Sequence, residues 1–374
     1  MRKILAVLLV AIMAVTAAGC SQGEPSSSTG ESQVKSESSK SEASQAESSG
    51  NDGEREENYV VATQSTNLLT GRDTLSEGAY GKRPIALSIN NIEDSWPQYG
   101  ISDADMIFEI PVEYNITRLM ALYGDYTKVP DVCSIRSCRY YYPILAEGMD
   151  ATYFHSGMDE VHARGILDGL GITTYDTTPG ELFERDQDRL DEGYALEHTM
   201  KFIGSKLPEA AVDNDIRTDL KDGYKTTAFK FAKTETAPTG ESCDKLRVTF
   251  GEDYYSDFTF DSASKTYLKE HSGTPHIDVA TDKQLAFTNL LILETSIQIF
   301  DGDESGRKEI DIYGDHYKGY YVSGGKVQNI TWSKPDASAQ LKIYGEDGQE
   351  ILINQGKTYI SISTPDSATF GETE

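Results

Sequence analysis

Four charges set into apolar sequence constrain this chain more than any other feature. From Gly100 to Gly157 it reads GISDADMIFEIPVEYNITRLMALYGDYTKVPDVCSIRSCRYYYPILAEGMDATYFHSG, with Glu109, Glu113, Arg118 and Arg136 lying between short apolar runs. An isolated buried charge is expensive, so charges in such surroundings must be paired, hydrogen-bonded or directed at a ligand. Any fold that accepts this stretch has to satisfy those acids and bases together. The functional site is therefore expected here.

The chain that precedes it divides sharply by composition. Residues 1–20 carry Arg2 and Lys3, an apolar run from Ile4 to Val15, and then Ala17-Ala18-Gly19-Cys20. The run is too short for a good spanning helix, and the small residues before a cysteine resemble a bacterial lipoprotein signal. That resemblance implies lipidation of Cys20 as the mature N-terminus and a cell-membrane location on the extracytoplasmic face. The alternatives are an ordinary secretory signal with a chance cysteine, or a retained membrane helix. Residues 21–58 form a tether of Ser, Glu, Gln, Gly and Lys. With almost no apolar residue it cannot bury enough surface to offset chain entropy. A flexible coil of that length spans about 35 Å, at about 5–6 Å times the square root of the residue number.

Beyond the tether the pattern is that of folded sequence. Ile85–Ile89, Met106–Ile110, Arg118–Tyr123 and Ala151–His155 read as strands. A helix is expected from Tyr141 with Pro143 in its first turn, where the missing N–H costs little. A second helix is expected over Asp159–Leu170, ended by Gly171. Leu196, Met200, Ile203 and Leu207 recur at helical spacing, which predicts a third, stopped by Pro208. The polar segment around Thr234–Gly240 suggests a boundary, after which short β-rich runs punctuated by Gly, Asp and Asn recur without helical period. The expectation is an α+β protein, with an N-terminal mixed α/β sandwich-like domain (59–235), a mostly antiparallel β C-terminal domain (236–366) and a frayed tail (367–374).

The order of motifs is recognisable. Arg83-Pro84-Ile85-Ala86, Pro97-Gln98-Tyr99-Gly100-Ile101-Ser102-Asp103-Ala104-Asp105, Phe108-Glu109, Glu113, Thr117-Arg118, Ile135-Arg136-Ser137-Cys138-Arg139 and His155-Ser156-Gly157 together resemble the YerB-like bacterial lipoproteins. Pro275-His276-Ile277-Asp278 and the stretch from Gly319-Tyr320-Tyr321 to Trp332 extend the likeness into the second half. The resemblance implies a two-part, extracytoplasmic architecture, and no activity. Two places depart from the family pattern. Cys133-Ser134 and Cys138 flank the Arg136 segment, and Leu196-Glu197-His198-Thr199 stands where the family tends to show Pro-His-Asn.

Chemistry then narrows the candidates. Arg118, Arg136 and Arg139 offer planar forks suited to carboxylate or phosphate, and with Glu109, Glu113 and His155 they could line a cleft for a polar or anionic ligand. The alternative is a structural network in which Arg118 and Arg136 pair with the two acids. Glu109 and Glu113 could instead serve as an acid–base pair in an envelope glycan hydrolase, with His155 assisting. A third alternative is a structural or regulatory partner of a membrane protein complex. Cys133 and Cys138 could close a disulfide outside the cytoplasm, could be buried thiols, or could supply a nucleophile with His155 as base; Cys243 is left unpaired.

Binding is favoured over catalysis. A net charge of -27 argues against a nucleic-acid partner. The histidines show no zinc spacing, and the chain lacks a Gly-rich phosphate loop or Ser elbow, so no metal and no cofactor is expected. The expected partners are the membrane, through lipid on Cys20, and a cell-wall polymer or a membrane protein.

Overall fold

The computed structural model describes residues 58–371. The signal segment, Cys20 and nearly all of the tether lie outside them.

One long mixed sheet organises the described chain. Its strands run in the order Lys342–Tyr344, Lys326–Lys334, Gly314–Ser323, Asn289–Glu294, Thr358–Ser363, Met106–Glu113, Ile116–Tyr123, Ile85–Asn90, Thr152–His155 and Tyr175–Asp176, and Glu241–Ser242 pairs with Lys326–Lys334 at the edge. The two halves of the sequence share this sheet. Thr358–Ser363, near the end of the chain, lies parallel to both Met106–Glu113 and Asn289–Glu294 and joins them. The central strands Ile85–Asn90, Asn289–Glu294 and Thr358–Ser363 are buried along their whole length. Strands covered on both faces tend to read as continuous apolar runs, and residues 290–293 do; Ile85–Asn90 and Thr358–Ser363 instead bury Ser88, Ser361 and Ser363 among their apolar residues.

Each face has its own cover. In Met106–Glu113 the side chains of Met106, Phe108, Ile110 and Val112 share a core with Tyr141, Tyr142, Ile144 and Leu145 of the helix Tyr141–Glu147. The tyrosines are placed by more than apolar area. Tyr141 donates to the Pro111 carbonyl at 2.6 Å, and Tyr142 to the Arg118 carbonyl at 2.8 Å. Ile107, Leu119 and Ala121 face the other way, into a core with Leu246, Val248, Phe258 and Tyr267. Those four belong to a second, antiparallel sheet built on Lys245–Gly251, Tyr254–Asp261 and Thr266–His271.

This is an α+β arrangement, a mixed sheet in the N-terminal part followed by antiparallel sheet in the C-terminal part, with few helices. Some local expectations fail for identifiable reasons. Pro208 opens a helix, Leu207–Asp213, because proline fits the first helical turn, while Met200–Phe202 is a strand. Thr266–His271 alternates strictly in burial, but its inward residues are Tyr267, Lys269 and His271, and Lys326–Lys334 alternates only in part, so neither stands out as an apolar pattern in sequence. The tail expected to fray from 367 instead contributes the strand Ala368–Phe370, paired with Leu246–Val248.

Candidate functional site

The strands Ile85–Asn90, Met106–Glu113, Thr152–His155 and Thr358–Ser363 all run in one direction. The first and third pair in parallel, as do the second and fourth, and the first two both oppose Ile116–Tyr123. Their carboxyl ends, at Asn90, Glu113 and His155, therefore lie along one edge of the sheet. In open sheets of parallel strands, ligand crevices form outside such ends.

Glu113, Arg118 and Arg139 meet there. A register shift between Pro111 and Glu113 re-aims the end of its strand. Glu113 accepts from Arg139 Nη2 through one oxygen and lies 3.5 Å from Arg118 Nη2 through the other. Each arginine is held further by a backbone oxygen: Arg118 Nη1 donates to Ser137 and Arg139 Nη1 to Cys138, both at 2.8 Å. Arg136 is fixed across the same edge by its backbone. Its N–H donates to Ser88, its carbonyl accepts from Ser156, and its guanidinium reaches Glu197 at 3.4 Å.

Within ion-pair distance the three guanidiniums thus have two carboxylates, and the buried Asp159 adds its charge near Arg139. Arg118 is 4% exposed, and burial lowers its pKa from the usual arginine value. Burial does the same to Arg139 and Arg136, and Arg118 adds to the effect on Arg136. In all three the buried Nε–H has no hydrogen-bond partner among the described residues. Such orphan groups are uncommon and call for an acceptor.

Glu109 does not join this group. It lies on the opposite face of its strand, fully buried between the two sheets. One oxygen accepts from Asn91 at 3.0 Å and Thr117 at 2.8 Å; the other accepts from Ser256 and Tyr359, each at 2.9 Å. Lys269, equally buried, sits 3.4 Å away. Burial pushes the carboxyl upward, but Lys269 and the hydroxyl donors outweigh it and hold Glu109 below its ordinary value. Beyond Lys269 lies His276, whose other ring nitrogen meets Gln98. Burial depresses both His271, to about 4, and His276, so these imidazoles are neutral.

His155 shares the arginine face, but its ring is occupied. Nδ1 bonds to the Gly157 carbonyl at 2.8 Å and Nε2 to Thr174 Oγ1 at 2.9 Å. Burial lowers its pKa, with Gly157 and Asp176 opposing. It braces the Gly157 turn, where φ is +82° and an added side chain would press on Ser137. The expected Cys133–Cys138 disulfide is corrected: both thiols are free and buried. Different partners fix their backbones, Tyr99 and Lys201 for Cys133 but Gly157 and Met158 for Cys138. Burial raises the Cys133 thiol to about 11 and Cys138 further, so neither is poised as a nucleophile.

Sequence reasoning missed Glu197, Tyr153 and Lys269. Glu197 was visible only as part of the divergent Leu196–Thr199 segment. Lys269 had a signal: it stands between Tyr267 and His271 at the inward positions of a strand. Among the described residues no group of three or more His, Cys, Asp or Glu side chains could hold a metal ion, and no helix is long and apolar enough to cross a membrane.

With this geometry in hand, comparison defines the class. Residues 69–215 match the family described as "Protein of unknown function (DUF3048) N-terminal domain", and residues 246–360 match its C-terminal domain. The chain belongs to this two-part family of unknown function. Among its relatives is "Putative lipoprotein YerB" of Bacillus subtilis (strain 168), 28% identical over 312 residues, covering 79% of this chain and 85% of the relative. The crystal structure of YerB superimposes with a TM-score of 0.68 at 24% identity, over 83% of this chain and all of that one, a likeness of fold.

Proposed function

We propose that this protein is a lipoprotein, anchored through lipid on Cys20 at the extracytoplasmic face of the cell membrane, that binds an anionic group of a cell-envelope ligand at the arginine edge. The name of the B. subtilis relative and the signal-like segment before Cys20 support the anchor. One observation supports the binding reading: three clustered arginines pair with only two carboxylates within ion-pair distance, and each keeps a buried Nε–H without a partner among the described residues. Arginine forks recognise carboxylate and phosphate oxygens, and charge-assisted bonds are about twice as strong as neutral ones. Arg136, the least buried of the three, is the expected first contact, with Arg118 and Arg139 behind it.

Hydrolysis by Glu109, Glu113 and His155 has weaker support. The acids sit on different faces of the sheet, Glu109 is sealed in an ion pair, and both His155 nitrogens are bonded. The test is titration calorimetry with soluble fragments released from peptidoglycan by a muramidase. Association that Arg136→Ala abolishes without changing the unfolding midpoint is the expected result. Absence of association, or equal association by Arg136→Ala, overturns the reading. Products that accumulate with time in the wild type but not in Glu109→Gln favour hydrolysis, and stable co-purification with a membrane protein without either favours a complex partner.

A further inference from the structure

The far edge of the main sheet has a gap. Lys326–Lys334 is its last long strand. On the outer side Glu241–Ser242 pairs with Val327 and Lys326, and Lys342–Tyr344 pairs with Thr331–Ser333. Among the described residues no strand pairs with Gln328–Ile330 on that side. The two-residue Gly324-Gly325 turn makes Ser323 and Lys326 face each other as a hydrogen-bonded pair, so by strand alternation 327, 329 and 331 direct their backbone groups outward. The N–H and C=O of Asn329 therefore face the gap, and exposed strand edges of this kind are templates for pairing with another chain.

A cavity of about 1090 Å³ opens at this point. Tyr320 and Phe370 contribute an aromatic wall, their rings 4.8 Å apart at 61°. Glu241, Glu346, Asp347 and Glu350 supply carboxylates, and the lining holds no Lys or Arg. Lys230 and Lys342 reach Glu350 at 3.4 and 4.0 Å. Glu346 accepts from the Asn329 side chain at 3.1 Å, and neither Glu241 nor Glu346 has an ion-pair partner among the described residues.

We propose that this notch is a docking site for an extended, lysine-bearing segment of a partner protein. The segment adds a short strand at Asn329, between the two partial edge strands. Three features select that occupant: main-chain donors and acceptors in line with the ladder, an aromatic wall for an alternate side chain, and acidic rims that complement positive charge. The site lies on a different strand edge from the arginine cluster and does not depend on it.

The test uses the full chain and a fluorophore-labelled, N-acetylated eight-residue peptide of alternating Lys and Val, followed by anisotropy. Saturable binding is expected, weakened at least tenfold by Glu241→Lys combined with Glu346→Lys, and similarly by Asn329→Pro, which removes the outward N–H together with the side-chain bond to Glu346. If the proline variant fails to fold, the Asn329 amide resonance of the wild type must still shift on titration. Four results overturn the proposal: no saturable binding; equal binding of a Glu/Val peptide; selective binding of a neutral oligosaccharide that Glu346→Lys removes and Asn329→Pro leaves; or a wild-type dimer that Asn329→Pro converts to monomer.

Discussion

Glu109→Gln removes the negative charge from the contact between the two sheets and leaves Lys269 without its counter-ion. In the wild type both side chains are fully buried, 3.4 Å apart, and the carboxylate accepts from four side-chain donors. Deleting one partner of a buried pair costs about 3–5 kcal/mol, because the remaining charge is uncompensated. Lys269 has one route of relief. Burial already lowers its pKa, opposed by Glu109, so without the acid it can shed its proton, which places the expected cost near the lower end of that range. Against a total stability of about 5–15 kcal/mol for a typical protein, this is a large fraction.

Urea unfolding of the full chain, followed through the fluorescence of Trp96 and Trp332, measures the loss as a lower midpoint at unchanged slope. The double variant Glu109→Gln, Lys269→Met supplies the control. It should cost less than the sum of the single variants by about 2 kcal/mol, within the range of couplings between groups in one network. A Glu109→Gln variant within about 1 kcal/mol of wild type, or strict additivity in the double variant, would refute the ion-pair reasoning.

Acid should act first through the buried imidazoles. His271 and His276 have folded pKa values below their unfolded one near 6.5, so the unfolded chain binds more protons and stability falls as pH drops below about 6.5. With Lys269 and Glu109 facing His271, each imidazole contributes roughly 2 kcal/mol of loss by pH 5, at about 1.36 kcal/mol per unit. His271→Gln should flatten the pH dependence of the urea midpoint between pH 6.5 and 5, and an unchanged slope would contradict this. Asp150 acts in the same direction at lower pH. Burial raises its pKa, but Arg217, the Lys221 N–H and Arg83 outweigh it, so its contribution is complete above the usual Asp value near 3.9 and disappears as pH falls through the lower folded one. Asp150→Asn keeps a residue type that tolerates the φ of +51° at this position, and should cost about 1.5–3 kcal/mol at pH 7 by thermal or urea unfolding. Replacing Cys133 and Cys138 together by Ser should change the unfolding midpoint equally with and without reductant, since the thiols are unpaired.

Much of the fold was legible because its central strands carry their own signal. Ile85–Asn90 and Thr358–Ser363 are short isoleucine-bearing runs interleaved with small polar residues, and Gly171 marks its helix end with φ +67°. What sequence could not supply was partnership at long range. Glu109 reads like Glu113 from neighbouring residues, yet strand alternation and the Pro111 irregularity send one toward Ser256, Lys269 and Tyr359 and the other toward Arg118 and Arg139. Nothing local to Met106–Glu113 announces that a strand some 250 residues later will lie beside it. The arginines were visible by type, but their shortage of acceptors depends on the positions of Ser137, Cys138 and Glu197.

The most direct measurement of the proposed anion site is the set of arginine Nε–Hε resonances in the full chain, assigned with Arg136→Lys and Arg139→Lys and titrated with muramidase-released peptidoglycan fragments. The signals of Arg118, Arg136 and Arg139 should shift together and saturably while other arginines, such as Arg247 in its bidentate pair with Asp257, stay fixed. Resonances of the three that remain unmoved at saturating fragment concentration would contradict it.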